Sequence, residues 1–355
     1  MRYLEALKEN PILQAPMAGV ADAPYRAINK RFSSGLSYSE MISAKGLHYD
    51  VKRKRSHRLL KLAPEEVGAA VIQLFGSDPK LMAQQALAVA ELLGEHIVGI
   101  DVNMGCPVPK VVNKGDGSAL MTTPELAWRI ISAMRDTLDT HGYHELALTA
   151  KHRKGWDFDN VNAVEFAKGL EAAGATAVTV HGRTRDQFYR GNSDRNIIKA
   201  VKDALSIPVI ASGDAFTAKS CFEILDETGA DAVMIARGSY GNPWIFEQAV
   251  AVREGQAPPP SPSLEERLTL LRQHAEESIH WYGDPNLARM RKHAAWYVAG
   301  QPAAAVFRRR LHQLSTMDEL DTLIAEYLEQ HGDLSSNACK DDDTLLDACK
   351  DDLGE

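Results

Sequence analysis

The stretch Ile97-Val98-Gly99-Ile100-Asp101-Val102-Asn103-Met104-Gly105-Cys106-Pro107 starts as an apolar run of strand length and ends in polar and turn-forming residues. Similar runs recur between residues 12 and 253, each followed by helical periodicity, which is the pattern of repeated βα units over a parallel sheet. The spacing predicts strands at Ile12–Met17, Leu36–Glu40, Ala69–Leu74, Ile97–Val102, Leu146–Lys151, Ala177–His181, Pro208–Ser212 and Ala232–Ala236. Asp78-Pro79 and Thr123-Pro124 open helices, with proline in the first turn, and Gly174 and Gly229 close two others. Doubly wound open sheets usually stop near about six strands, so eight units predict an α/β fold closed as a (β/α)8 TIM barrel over residues 1–253.

Beyond the barrel, residues 254–263 include Pro258-Pro259-Pro260-Ser261-Pro262, a stiff linker that cannot continue a helix. Residues 264–331 keep helical spacing throughout and are expected to form a small all-α domain. Residues 332–355 are acidic, repeat Ala-Cys-Lys-Asp-Asp at 338 and 348, and are expected to be a disordered tail.

The four cysteines, Cys106, Cys221, Cys339 and Cys349, have no CxxC spacing, which argues against a disulfide framework or a metal site. No apolar run approaches the roughly 20 residues of a membrane span, and the N-terminus lacks the pattern of a signal peptide. A cytoplasmic protein without a membrane role is expected. The net charge of −8 hides two basic stretches that could meet a polyanion. Lys45 to Lys61 centres on Lys52, Arg53, Lys54 and Arg55. Arg289 to Arg310 contains no acid and includes Arg289, Arg291, Lys292, Arg308, Arg309 and Arg310, interleaved with Trp296 and Tyr297.

In a barrel the chemistry sits at the C-terminal ends of the strands. Those ends here carry Pro16-Met17-Ala18, Gln73, Asn103 with Cys106, Lys151 with Arg153, His181 with Arg183, Ser212-Gly213-Asp214 and Ala236-Arg237. The glycine turns after the last two strands suit a phosphate held by backbone amides, although glycine also simply permits a turn. Gln73 can donate and accept toward a heterocycle edge, and Lys151 can stabilise negative charge on a reduced ring. Cys106 lies in a bend where its thiol can reach a ligand; a buried, inert cysteine is the alternative from spacing alone. No GxGxxG follows a strand and no serine-hydrolase elbow is present.

With these motifs the chain resembles the bacterial tRNA-dihydrouridine synthases, specifically the B-type subgroup, from Ile12 through the C-terminal helical region. The resemblance rests on Ala15-Pro16-Met17-Ala18-Gly19-Val20, Asn103-Met104-Gly105-Cys106-Pro107 with Lys110 and Lys114, His181-Gly182-Arg183-Thr184-Arg185, and Met234-Ile235-Ala236-Arg237. It implies FMN bound by Pro16, Met17, Ala18, Gln73 and Lys151, with its phosphate on Ser212, Gly213, Asp214, Ala236 and Arg237. It also implies Cys106 as the catalytic acid, a substrate pocket including Asn103, Arg153, His181 and Arg183, NADPH or NADH as reductant, and tRNA as substrate. A monomer is expected. Ser212 and Ala236 depart from the family's usual Asn and Gly, but both keep the backbone amides. An FMN enzyme acting on a free pyrimidine, such as a dihydropyrimidine or dihydroorotate dehydrogenase, leaves the C-terminal helices without a task. A non-catalytic tRNA-binding protein leaves the rim residues without one.

Overall fold

The computed structural model describes residues 1–50, 52, 56–283 and 287–332. Arg53, Lys54, Arg55 and the tail beyond residue 332 lie outside the described residues. The chain divides into two compact units, Met1–Ala236 and the part from Arg237 onward.

In the first unit, helix α1 (Arg2–Glu9) precedes strand β1 (Ile12–Gln14), which leads to α2 (Ala23–Arg31). Then follow β2 (Ser37–Tyr38), β3 (Ile42–Ser43) with α3 (Ala44–Tyr49), β4 (Ala70–Phe75) with α4 (Pro79–Leu93), and β5 (Ile97–Met104) with α5 (Pro109–Val112) and α6 (Pro124–Thr140). The series ends with β6 (Ala147–Gly155), α7 (Ala163–Ala172), β7 (Ala177–Thr184), α8 (Arg195–Ala204), β8 (Val209–Ser212), α9 (Ala218–Thr228) and β9 (Ala232–Ile235). All pairings of these strands are parallel; β1 joins both β2 and β9, and β2 joins β4, so eight strands close a TIM barrel. The short β3 lies outside the ring, paired to β4 at Ile42↔Leu74.

The local signals act as expected. Asp78 Oδ1 accepts from the amides of Lys80 and Leu81 at the start of α4, and Gly229 ends α9 in the left-handed conformation at φ 65°. At the other end of the barrel, Arg2 donates to the carbonyls of Glu95 and Ile97, and Tyr3 is fully buried with its hydroxyl 2.9 Å from that of Tyr38.

Two strands differ from expectation in a way that matters for the site. β6 and β7 run on to Gly155 and Thr184, because they pair with each other as far as Gly155↔Thr184. Arg153 and Arg183 therefore stand on strand extensions rather than in loops, while His181 lies within β7 as expected. The second expected strand, Leu36–Glu40, is shortened to β2, and the additional short β3 follows after Ser39, Glu40 and Met41.

The second unit contains α10 (Trp244–Arg253), α11 (Leu264–Tyr282), α12 (Leu287–Tyr297), α13 (Ala304–Leu311) and α14 (Met317–His331). The division falls at Ala236/Arg237 rather than at the proline linker. α10 has its partners in this unit: Arg267 lies 5.7 Å from the Trp244 ring, and Gln248 donates to the Pro259 carbonyl. Leu268, Leu271, Met290, Ala294, Phe307, Leu311, Leu320 and Leu323 form its core, and Arg272 bonds both carboxylate oxygens of Asp321 between α11 and α14. No described helix is long and apolar enough to cross a membrane.

Candidate active site

The barrel interior is layered by strand register. Gln73, Asp101 and Thr149 lie side by side on β4, β5 and β6, and one step toward the C-terminal rim Asn103, Lys151 and Thr179 lie side by side on β5, β6 and β7. Inward-facing residues of a barrel stack in this way. Here the two layers are polar, whereas barrel layers are usually filled by branched apolar residues.

Cys106 follows β5 in a turn held at three points. Its amide and that of Gly105 donate to Asn103 Oδ1 at 3.0 and 3.2 Å. Its carbonyl accepts from the Ser118 hydroxyl at 2.9 Å and the Ser118 amide at 3.1 Å. The Gly105 carbonyl accepts from Arg153 Nε at 2.8 Å. The thiol is half-buried, and burial pushes its pKa up, against smaller opposing effects of the Val108 amide, Arg153 and Lys110. It is a protonated thiol at neutral pH, suited to giving a proton rather than acting as a nucleophile.

The Lys151 ammonium makes no hydrogen bond or close ion pair among the described residues. Burial chiefly, and then the positive charge of Arg153, lower its pKa to about 8, while Asp101 opposes them. An electron-rich ligand would complete this ammonium. Gln73 is fully buried; it donates to Asp101 Oδ2 at 2.7 Å and accepts from Asn103 Nδ2 at 2.9 Å, which leaves one amide hydrogen and one lone pair for a ligand.

At the rim beyond β8, Gly213 has φ 118° and Asp214 φ 59°. A Cβ on Gly213 would lie 2.5 Å from the Ser193 hydroxyl and 3.0 Å from the His181 ring, so both conformation and space demand glycine. The Gly213 amide has no acceptor among the described residues. Arg183, 2% exposed, bonds both Asp214 oxygens at 2.7 and 2.9 Å, and its Nη1 lies 3.3 Å from His181 Nε2. Asp214 also accepts from the Ser193 amide at 2.7 Å. The carboxylate thus fixes the turn and has its charge offset by Arg183. The unpartnered Lys151 ammonium, the spare valences of Gln73 and the open Gly213 amide fit a flavin mononucleotide, which needs charge near its ring, hydrogen bonds at its edge and amides at its phosphate.

The structure brings Gln73, Asn103, Cys106 and Arg153 into one bonded set, and His181, Arg183, Gly213 and Asp214 into a second, on neighbouring strands. Pro16, Met17 and Ala18 follow β1, with Met17 buried and Ala18 exposed, and the Gly19 amide donates to Glu40. Arg153 is 3% exposed and donates to the carbonyls of Gly105, Thr184 and Phe188, so much of its guanidinium serves the scaffold. Ser212 is buried at the end of β8, Ala236 follows β9, and Arg237 opens the second unit.

Among the basic residues, Lys52, Arg289, Arg309 and Arg310 are exposed, while Arg291, Lys292 and Arg308 are half-buried. Arg291 donates to the Leu314 carbonyl and Arg310 pairs with Glu326. Trp296 and Tyr297, which the sequence interleaves with these bases, are not surface aromatics. They are 3% exposed, and Trp296 stacks on Tyr240 at 3.9 Å, because α12 turns its aromatic face into the core. Asp101 is not among the expected site residues, although an acid within an otherwise apolar strand is itself a signal.

Fold and site together define a TIM-barrel enzyme with its polar groups gathered at the C-terminal rim. A profile of the dihydrouridine synthase (Dus) family matches residues 13–332. Among similar proteins are the tRNA-dihydrouridine synthase B of Pasteurella multocida, 39% identical over 319 residues that cover 89% of this chain and 92% of that one, and its namesake from Pseudomonas aeruginosa, 38% identical with 87% and 90% covered. A probable tRNA-dihydrouridine synthase of Rickettsia conorii is 37% identical, with 89% and 92% covered. The chain belongs to the dihydrouridine synthase family, and is therefore a flavin-dependent oxidoreductase that forms dihydrouridine.

Proposed function

We propose that this enzyme reduces the C5–C6 double bond of uridines in the D-loop of tRNA, with FMN as its flavin and NADPH or NADH as reductant, and that it works as a monomer in the cytoplasm. The observation that carries the assignment of roles is the Cys106 turn, whose backbone amides are held by Asn103 beside Gln73 and Lys151 and which carries a protonated thiol. FMN, when bound, supplies the hydride that uracil C6 receives. The Cys106 thiol gives its proton to C5, completing the saturated ring. Lys151 stabilises negative charge on the flavin side, and Gln73 orients the ring through its remaining donor and acceptor. Pro16, Met17 and Ala18 line the ring. The phosphate is assigned to the amides of Ser212, Gly213 and Asp214, with Ala236 and Arg237 given to it from the sequence.

Asn103, Arg153, His181 and Arg183 border the base. A base inside a duplex or stack cannot reach a flavin in a barrel, so the uridine is flipped out and the tRNA is held by its backbone. Lys52, Arg289 and Arg309, all exposed, are candidates for that grip, with Arg291, Lys292, Arg308 and Arg310 weakened by their internal contacts or partial burial. The test is nucleoside analysis of unmodified tRNA after incubation with enzyme and NADPH. Dihydrouridine in tRNA but not from free uridine or uracil is the expected outcome; turnover of the free pyrimidine alone would overturn the tRNA assignment.

A further inference from the structure

We propose that Asp101 is a positioning residue for Cys106: its carboxylate sets the direction of two side-chain amides in series, and through them the backbone of the Cys106 turn. The proposal rests on the assignment of Cys106 as the proton donor.

Asp101 is fully buried in the middle of β5, and among the described residues it has no ion-pair partner within 4 Å. A carboxylate in such a place costs stability, so its presence calls for a role that an apolar residue could not fill. An ionised carboxylate can only accept hydrogen bonds. Oδ1 accepts from the Thr149 hydroxyl at 2.6 Å and Oδ2 from Gln73 Nε2 at 2.7 Å. With its nitrogen turned to Asp101, Gln73 must turn its oxygen to Asn103, whose Nδ2 donates to it at 2.9 Å. Asn103 must then turn its own oxygen outward, where it accepts from the Gly105 and Cys106 amides.

Each amide could fit the same space with its ends exchanged, and shape alone would not choose. Reversing the chain would bring the Asn103 amide hydrogens against two backbone N–H groups and break the hold on the turn. The Asp101 carboxylate, which can only accept, and the two backbone N–H groups of the turn fix the same working direction from opposite ends of the chain. The groups facing Asp101 do not compete for this role. The phenols of Tyr3 on α1 and Tyr38 on β2 are held neutral by burial, and Lys151 lies one layer nearer the rim. Burial raises the Asp101 carboxyl to about 6, which leaves it ionised at neutral pH.

The test compares Asp101→Asn, Asp101→Leu, Asn103→Asp and the double variant Asp101→Asn/Asn103→Asp as purified holoenzymes. The readouts are the rate of Cys106 alkylation by iodoacetamide, followed on the Cys106 peptide by mass spectrometry, and kcat against KM for tRNA. Asp101→Asn keeps an acceptor for Gln73 and can donate to Thr149, so its alkylation rate stays within about threefold of the parent. Asp101→Leu removes the acceptor and raises the rate about tenfold, with the loss of turnover in kcat rather than KM. Asn103→Asp sets a carboxylate against the Gln73 oxygen and disturbs the turn at least as much. The double variant lets Gln73 reverse, with the new amide at position 101 donating to its oxygen and the new carboxylate at position 103 accepting from its nitrogen, and returns the alkylation rate toward the parent. Equal effects of Asp101→Asn and Asp101→Leu, or a double variant no closer to the parent than Asn103→Asp alone, would overturn the proposal. Alkylation needs no tRNA turnover, so it fails or succeeds separately from the assignment of substrate.

Discussion

Cys106 and Lys151 show how burial prepares two ordinary side chains for opposite tasks. Desolvation keeps the Cys106 thiol protonated, while the same effect, with Arg153 nearby, brings the Lys151 ammonium close to losing its proton. Cys106→Ala is expected to keep the visible flavin spectrum and lower kcat for dihydrouridine formation by about 100-fold or more. Activity within a few-fold of the parent would remove the acid role. For Lys151, the folded pKa of about 8 lies below that of a free lysine. The fold is therefore penalised in full below about pH 8 and gains stability as pH rises from there toward the unfolded value, where the unfolded chain binds more protons. Function has the opposite sign: kcat/KM should fall above about pH 8 as the ammonium is lost. A profile flat to about pH 10, near the value of a free lysine, would show that Lys151 either keeps its proton past about pH 8 or acts without its charge. The types of these residues were legible from their places at strand ends. The chain of acceptors behind Cys106 was not, because hydrogen-bond direction depends on side chains from β4, β5 and β6 meeting in one layer.

At the scale of elements, two contacts explain why the scaffold holds its shape. Arg26 on α2 and Glu66, before β4, form an ion pair at 2.6 Å with exposures of 2% and 0%. Arg26 also donates to the carbonyls of Ala21 and Lys61, and Ser37 on β2 donates to Glu66. Removing one charge strands the other, so Glu66→Ala should cost about 3–5 kcal/mol in denaturant unfolding. A loss under about 1 kcal/mol would mean that water reaches Arg26. Gly169 in α7 lies against the Trp128 indole of α6, where an added Cβ would fall 2.0 Å from the ring, and Trp128 Nε1 donates to the Phe166 carbonyl at 3.1 Å. Gly169→Ala, normally favourable in a helix, should destabilise by about 1–3 kcal/mol. A stabilised variant would show that Trp128 moves aside without cost. The order and approximate limits of the elements could be read from periodicity. The extension of β6 and β7 could not, since it comes from their mutual pairing beyond the barrel wall.

Across the whole molecule, a net charge of −8 coexists with a segment from Arg289 to Arg310 that contains no acid. Replacing Arg289 and Arg309 by Gln together should weaken tRNA binding and lower the slope of log affinity against log salt by about 0.7–0.9 for each phosphate no longer neutralised. An unchanged slope in binding titrations at several salt concentrations would place the RNA elsewhere. The sequence by itself determined the βα repeat, the closure at eight strands, the helical C-terminal region and the motif around Cys106, because each depends on local periodicity and turn chemistry. Tertiary structure alone decided where the compact units divide, which aromatic residues of α12 are buried, and how Asp101, Gln73 and Asn103 direct one another. These depend on residues far apart in the chain that meet only when the barrel closes, and on the removal of water that makes each buried donor and acceptor find a partner.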